Sequence, residues 1–177
     1  MPPLSPLVTR IVPPPIPAAH AWAQRYDGAR GPMLDLCQAV PGYPPHPEIL
    51  ERLATAARDP ASAKYGLING DAALRETYAA QVSAAYGGTI QPDEVAITAG
   101  CNQAFFLAMM TLAQAGDAVM LPTPWFWNHQ QTLEMLGIEA RPLPCAADAG
   151  FTPDPEAAEA LLDSRVRAIV LVTPNNP

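Results

Sequence analysis

Lysine is nearly absent from this chain: Lys64 is the single one, and Lys and Arg together number only 10 in 177 residues. Scattered among 17 acidic residues, with a formal net charge of -7, they form no run able to follow a phosphate backbone, so nucleic acid is not an expected partner. Cysteine is scarce too. Cys37, Cys101 and Cys145 are odd in number and widely spaced, a pattern of neither a disulfide framework nor a metal site, and reduced cysteines in a soluble cytoplasmic protein are the expectation. Long apolar runs are also missing. The longest, Ala104 to Ala113, is about half of the roughly 20 residues that a membrane helix requires, so no membrane partner is expected. The start, MPPLSPLVTRIVPPPIP, is too interrupted by proline for the apolar segment of a secretory leader.

What is present is apolar and rich in proline. With 49% hydrophobic and 15% charged positions, the chain has the composition of a globular protein, long enough for one sizeable core. Twelve of the 22 prolines fall in the first 47 residues, which implies an extended arm and turns, with a short helix around Ala18 to Tyr26. Pro47 suits a first helical turn, and Ile49, Leu50 and Leu53 recur at helical spacing, so a helix is predicted over Glu48 to Arg58. A second is predicted from Ala72 to Tyr86, ended by Gly87-Gly88.

From Pro92 onward, strand and helix patterns alternate. EVAIT (94–98), AVMLP (118–122), IEARPLP (138–144) and VRAIVLVT (166–173) read as strands. NQAFFLAMMTLAQA (102–115), WNHQQTLEMLG (127–137) and DPEAAEALLDS (154–164) read as helices. Such alternation implies crossover units: an α/β, three-layer architecture whose mostly parallel sheet carries helices on both faces. Ligands of such sheets gather beyond the carboxyl ends of the strands. That rule selects three loops, TAGCNQ (98–103), PTPWFWNH (122–129) and TPNNP (173–177).

In the first loop, glycine at a strand-to-helix bend leaves the amides of Cys101 and Asn102 pointing out from a helix start, where unpaired N–H groups and the helix dipole favour an anion. The same glycine also suits simple tight packing, and the G-x-G-x-x-G dinucleotide spacing is absent. In the second loop, Trp125, Phe126 and Trp127 cannot all point inward, so at least one is expected to face the cleft and cover a planar ligand. In the third, Asn176 reads either as a polar group delivered to the sheet edge or as the cap of a following helix.

Taken together, LDLCQAVPGYPP, KYGLINGDAALRE, AITAGCNQAF, GDAVMLPTPWFWNH and VRAIVLVTPNNP, in this order, resemble the N-terminal half of the class I and II, fold-type I, pyridoxal-phosphate-dependent aminotransferases. The resemblance implies pyridoxal 5'-phosphate as cofactor, amino acid and 2-oxo acid substrates, and a homodimer. It places Gly100, Cys101 and Asn102 at the cofactor phosphate and Phe126 on the pyridine ring. Asn176 falls at the cofactor's 3' oxygen, and Tyr65 reaches across the dimer to the partner's phosphate. Ala39, where glycine is common in the family, lies in the segment that offers backbone to the substrate carboxylate. The roles of Trp125 and Trp127 are left open. Residues 1–47 then form the Pro-rich arm with part of a small domain, and 48–177 the front portion of the large, cofactor-binding domain.

The lysine that the family bonds to its cofactor has no counterpart here, because Lys64 precedes the sheet, in the wrong motif order, and reads as a surface residue. No catalytic residue is therefore assigned within these residues, and the 177-residue chain alone is expected to be inactive. Lyase or synthase chemistry on the same fold, and a non-catalytic truncated or dimerisation chain, are the alternatives. Cys101 as a nucleophile and His129 as a cofactor contact are secondary candidates.

Overall fold

A computed structural model describes residues 2–38 and 40–175. In chain order its elements are α1 (Pro6–Thr9), α2 (Ile16–Ala23), α3 (Pro47–Arg58), α4 (Ala72–Tyr86), α5 (Cys101–Leu112), β1 (Ala118–Thr123), α6 (Trp127–Met135), β2 (Glu139–Pro144), α7 (Pro155–Ala160) and β3 (Val166–Ile169). They belong to two compact units, one of Pro14–Ile97 and one of Met1–Pro13 with Thr98–Pro177. Among the described residues no helix is long and apolar enough to cross a membrane.

In the Pro14–Ile97 unit the local signals act as expected. Pro47 occupies the first turn of α3, where the His46 Nδ1 accepts the Glu48 N–H at 3.3 Å. The Asp71 carboxylate caps α4 by accepting the Leu74 N–H at 3.2 Å, and Gly87 ends that helix at φ +69°. The strand expected over Glu94 to Thr98 does not form. Pro92–Glu94 is a 3₁₀ turn, and of the backbone that follows, Ile97 donates its N–H to the Asn69 carbonyl at 3.0 Å without a ladder on either side. A strand requires a neighbour for its alternate backbone groups, and apolar patterning does not reveal whether one is there.

In the second unit the sheet is wholly parallel, in the order β2-β1-β3. β1 to β2 steps one way and β2 to β3 steps back across β1, so right-handed crossovers put α6 and α7 on opposite faces. Side-chain parity agrees. Val119 and Leu121 of β1 join Met109, Leu133 and Ile138 in the core cluster beneath α5 and α6. Met120 lies on the other face, in register with Arg141 of β2, whose guanidinium reaches the end of α7. The α/β fold with a parallel sheet between helices is thus observed.

α5, α6 and β2 end within a few residues of their predicted bounds, whereas β3 and α7 are much shorter than the sequence pattern predicts. β3 stops at Ile169, after which Val170 still donates its N–H to the Met120 carbonyl at 3.0 Å. The next ladder bond would come from position 122, and Pro122 has no N–H to give. α7 stops at Ala160, where the carbonyl of its C-cap, Leu161, accepts Arg141 Nη1 at 2.9 Å.

Arg141 is 8% exposed and holds a four-member charge cluster. It meets Glu139 at 2.9 Å and Asp163 at 3.1 Å, while Arg165 meets the same two carboxylates at 2.8 and 3.3 Å. The cluster joins β2 to the turn before β3 across the amino end of β1, whose Ala118 N–H donates to the Arg165 carbonyl at 2.8 Å. The Arg141 guanidinium holds the Glu139 carboxyl below its ordinary value, and the Arg165 backbone N–H, with Arg141, does the same for Asp163.

Lowered folded-state values mean that both carboxylates stabilise the fold above their unfolded values, near 4, and lose that contribution as pH falls through the folded ones. Arg141→Met is therefore expected to lower the urea midpoint at neutral pH and to flatten the loss of stability between about pH 5 and pH 2. An acid slope as steep as the wild type's would contradict that assignment. Gly70, at φ +101°, faces Ile97 so closely that an added Cβ would lie 2.6 Å from the Ile97 Cβ. Gly70→Ala is expected to cost about 1–3 kcal/mol in the same urea titration; an unchanged midpoint would refute the contact.

Candidate functional site

Three chain segments meet at the carboxyl end of the sheet: the turn after β1, the loop after β2 and the exit from β3. They enclose a cleft of about 160 Å³ lined by Trp125, Phe126, His129, Phe151 and the backbone run Val170 to Thr173, among others. Among the described residues that line it, none is acidic or basic apart from His129. The Asn175 side-chain amide donates to the Pro124 carbonyl at 3.2 Å, which ties the β3 exit to the β1 turn.

The aromatic run after β1 divides its rings. Trp125 packs against the core, and its indole N–H donates to Gln130 Oε1 at 3.0 Å. Gln130 in turn donates to Glu134 Oε1 at 2.8 Å, so two residues one turn apart on α6 fix the plane of the indole. Phe126 sits at the N-cap of α6, where its carbonyl accepts the His129 N–H at 3.0 Å. Trp125 and Phe126 both line the cleft, in keeping with the expectation that at least one of the three rings would. The His129 ring lies 4.3 Å from that of Phe105 at 32°, and meets the Phe126 ring edge-on at 5.4 Å and 88°. Burial pushes its imidazole below the ordinary histidine value, so the ring is neutral at pH 7.

Phe105 belongs to α5, whose first turn is the other half of the site. Gly100, the N-cap residue, has φ +87°, a conformation that side chains strongly disfavour, and no side chain caps the helix. Thr98 Oγ1 donates to the Gly100 carbonyl at 2.9 Å, and the Gln103 side chain turns back to accept the Ala99 N–H at 2.6 Å. The N–H groups of Cys101 and Asn102 find no acceptor among the described residues, and both residues are exposed. Through the contact of Phe105 with His129, this helix start is mechanically connected to the cleft.

Of the residues expected to act, the structure therefore associates Gly100, Cys101, Asn102 and Phe126 in one unit. Tyr65 is fully exposed in the Pro14–Ile97 unit, beside Lys64, which is also exposed. Ala39 and Asn176 lie outside the described residues. Phe105, Asn175 and Phe151 also belong to the site, with little in the sequence pattern to mark them. Phe105 reads as one more apolar position on a helix, and Asn175 stands beside the asparagine to which the resemblance points. Phe151 is distinguished only by a positive φ of 56°, which no residue pattern announces.

The profile of the family described as aminotransferase class I and II matches residues 31–177. The valine–pyruvate aminotransferase of Mycobacterium tuberculosis is 30% identical over 166 residues, 93% of this chain and 42% of that protein. The aspartate/prephenate aminotransferase of Thermus thermophilus is 30% identical over 149 residues, 81% of this chain and 38% of that protein. Among solved structures, the aspartate aminotransferase of Thermotoga maritima superposes with a TM-score of 0.85 at 26% identity, over 98% of this chain and 46% of that one. The chain thus spans about two fifths of the length of the curated relatives it matches. With the parallel sheet, the glycine-led helix start and the aromatic turn falling inside the matched region, this chain belongs to the class I and II aminotransferase family.

Proposed function

We propose that this chain provides the phosphate-binding and ring-stacking side of an aminotransferase that moves an amino group between an amino acid and a 2-oxo acid with pyridoxal 5'-phosphate. One observation carries the reading: the uncapped start of α5 is joined through Phe105 and His129 to a cleft walled by Phe126. Unpaired amides at a helix start suit a phosphate, and an uncharged cleft with a flat ring suits a pyridine. The residues present therefore fit the group. When bound, that cofactor supplies an electron sink that stabilises negative charge at the substrate's α carbon.

The chain's own residues bind and orient. In this reading the backbone N–H groups of Cys101 and Asn102 donate to the phosphate, and the bare Gly100 lets it approach. Phe126 covers one face of the ring and excludes water from it. Asn176 donates its side-chain amide to the 3' oxygen, and the backbone at Ala39 receives the substrate carboxylate. Tyr65 extends from one subunit to the phosphate of the other, which makes a homodimer the expected assembly, and the cytoplasm is the location we propose for it. Residues 48–177 then form the front of the large domain, and 1–47 the arm and part of the small one. Lys64 has no part in holding the cofactor.

Equilibrium dialysis of the purified chain against pyridoxal phosphate tests this. Gly100→Ala forces a Cβ onto a φ of +87°, a strain of about 1–2 kcal/mol that tilts the helix-start amides, and affinity is expected to fall about tenfold. Phe126→Ala removes the stacking surface and is expected to weaken binding by about three- to tenfold. Wild-type affinity in both variants would overturn the site assignment. The 177-residue chain by itself is expected to show no transamination with an amino donor and a keto acid; turnover above the uncatalysed rate would refute this.

A further inference from the structure

We propose that His129 is a positioning residue whose ring locks Phe126 to the helix beginning at Gly100, so that the phosphate end and the ring end of the site are held in one fixed relation. The inference rests on the reading of Gly100, Asn102 and Phe126 just given, and adds a role that this reading does not contain.

Three observations support it. The imidazole lies between rings from two different elements, tilted by 32° against Phe105 of α5 and edge-on to Phe126 of the turn after β1. The edge-on geometry is a favoured one for aromatic pairs, and the two ring contacts constrain the imidazole in different directions. The second is backbone: the His129 N–H donates to the Phe126 carbonyl, so the residue that contacts the Phe126 ring also holds its main chain. The third is anchoring. Phe105 packs against Met109, Val119, Leu121, Leu133 and Ile138, the buried cluster of the unit, so a ring stacked on it inherits the rigidity of the core.

The chemistry of the ring fits such a spacer. Among the described residues no other acidic or basic side chain lines the cleft, and desolvation lowers the imidazole's proton affinity, so it presents a neutral ring face. Without it, Phe126 would keep a backbone hydrogen bond to residue 129 but lose the surface that sets its tilt. The α5 start and the ring wall would then move independently, and a ligand spanning both would have to order them on binding.

The test compares wild type with H129A, H129F and H129L, by two readouts. The first is the dissociation constant for pyridoxal phosphate. The second, which requires no ligand, is the amide exchange rate of Ala104, whose N–H bonds the Gly100 carbonyl at 3.3 Å in the first turn of α5. H129A is expected to weaken binding and to speed Ala104 exchange, each about tenfold. H129F, which keeps a flat ring, is expected to restore both to within about threefold of wild type, while H129L, which fills the volume without a face, restores neither.

Unchanged Ala104 exchange in H129A overturns the proposal. So does rescue by H129L, which would make the residue a volume filler, and so does failure of H129F, which would make an imidazole nitrogen the contact. Absence of binding by the wild-type protein would sink the functional reading instead; the Ala104 exchange series would still decide whether His129 couples the two elements.

Discussion

β1 is enclosed from every side: Ala118, Val119 and Met120 have no exposed surface, and Leu121 has 2%. Two parallel neighbours take its backbone groups, and helices cover both of its faces. Each large apolar side chain buried there contributes about 1.5–3 kcal/mol, against which the ordering of the loops beyond it is small. The carboxyl end of this strand is therefore the fixed point to which the site is attached. Pro124, Trp125 and Phe126 follow directly from it.

The two ends of β1 are organised by different forces. At its amino end the cluster of Glu139, Arg141, Asp163 and Arg165 joins the outer strands by charge, with Arg141 buried and each of its partners half-exposed. At its carboxyl end the contacts are aromatic and almost free of charge, and the polar links include the Asn175 amide on the Pro124 carbonyl and the Trp125 indole on Gln130. That division suits the proposed chemistry. A low-polarity wall beside unpaired helix-start amides strengthens their pull on an anion more than open water would allow.

Much of this was legible in the residues, for identifiable reasons. α3 and α4 declared themselves through Pro47, Asp71 and Gly87, because their start and stop signals are local. Gly100 marked the helix start for the same reason. What failed depended on a partner elsewhere in the chain. The EVAIT run has strand character but no ladder to join, and β3 is cut short by a proline on its neighbour rather than by anything in its own sequence. Arg141 reads as an exposed strand residue until Asp163 is brought beside it. The meeting of Phe105, His129 and Phe126 was hidden in the same way, since each belongs to a different local pattern.

The most direct measurement is an amide chemical-shift map of the chain titrated with pyridoxal phosphate. The account predicts the largest shifts at Cys101 and Asn102, with accompanying shifts at Phe126 and residue 129, all saturating with one dissociation constant. Shifts centred on Lys64 and its neighbours, with the start of α5 unmoved, would contradict it.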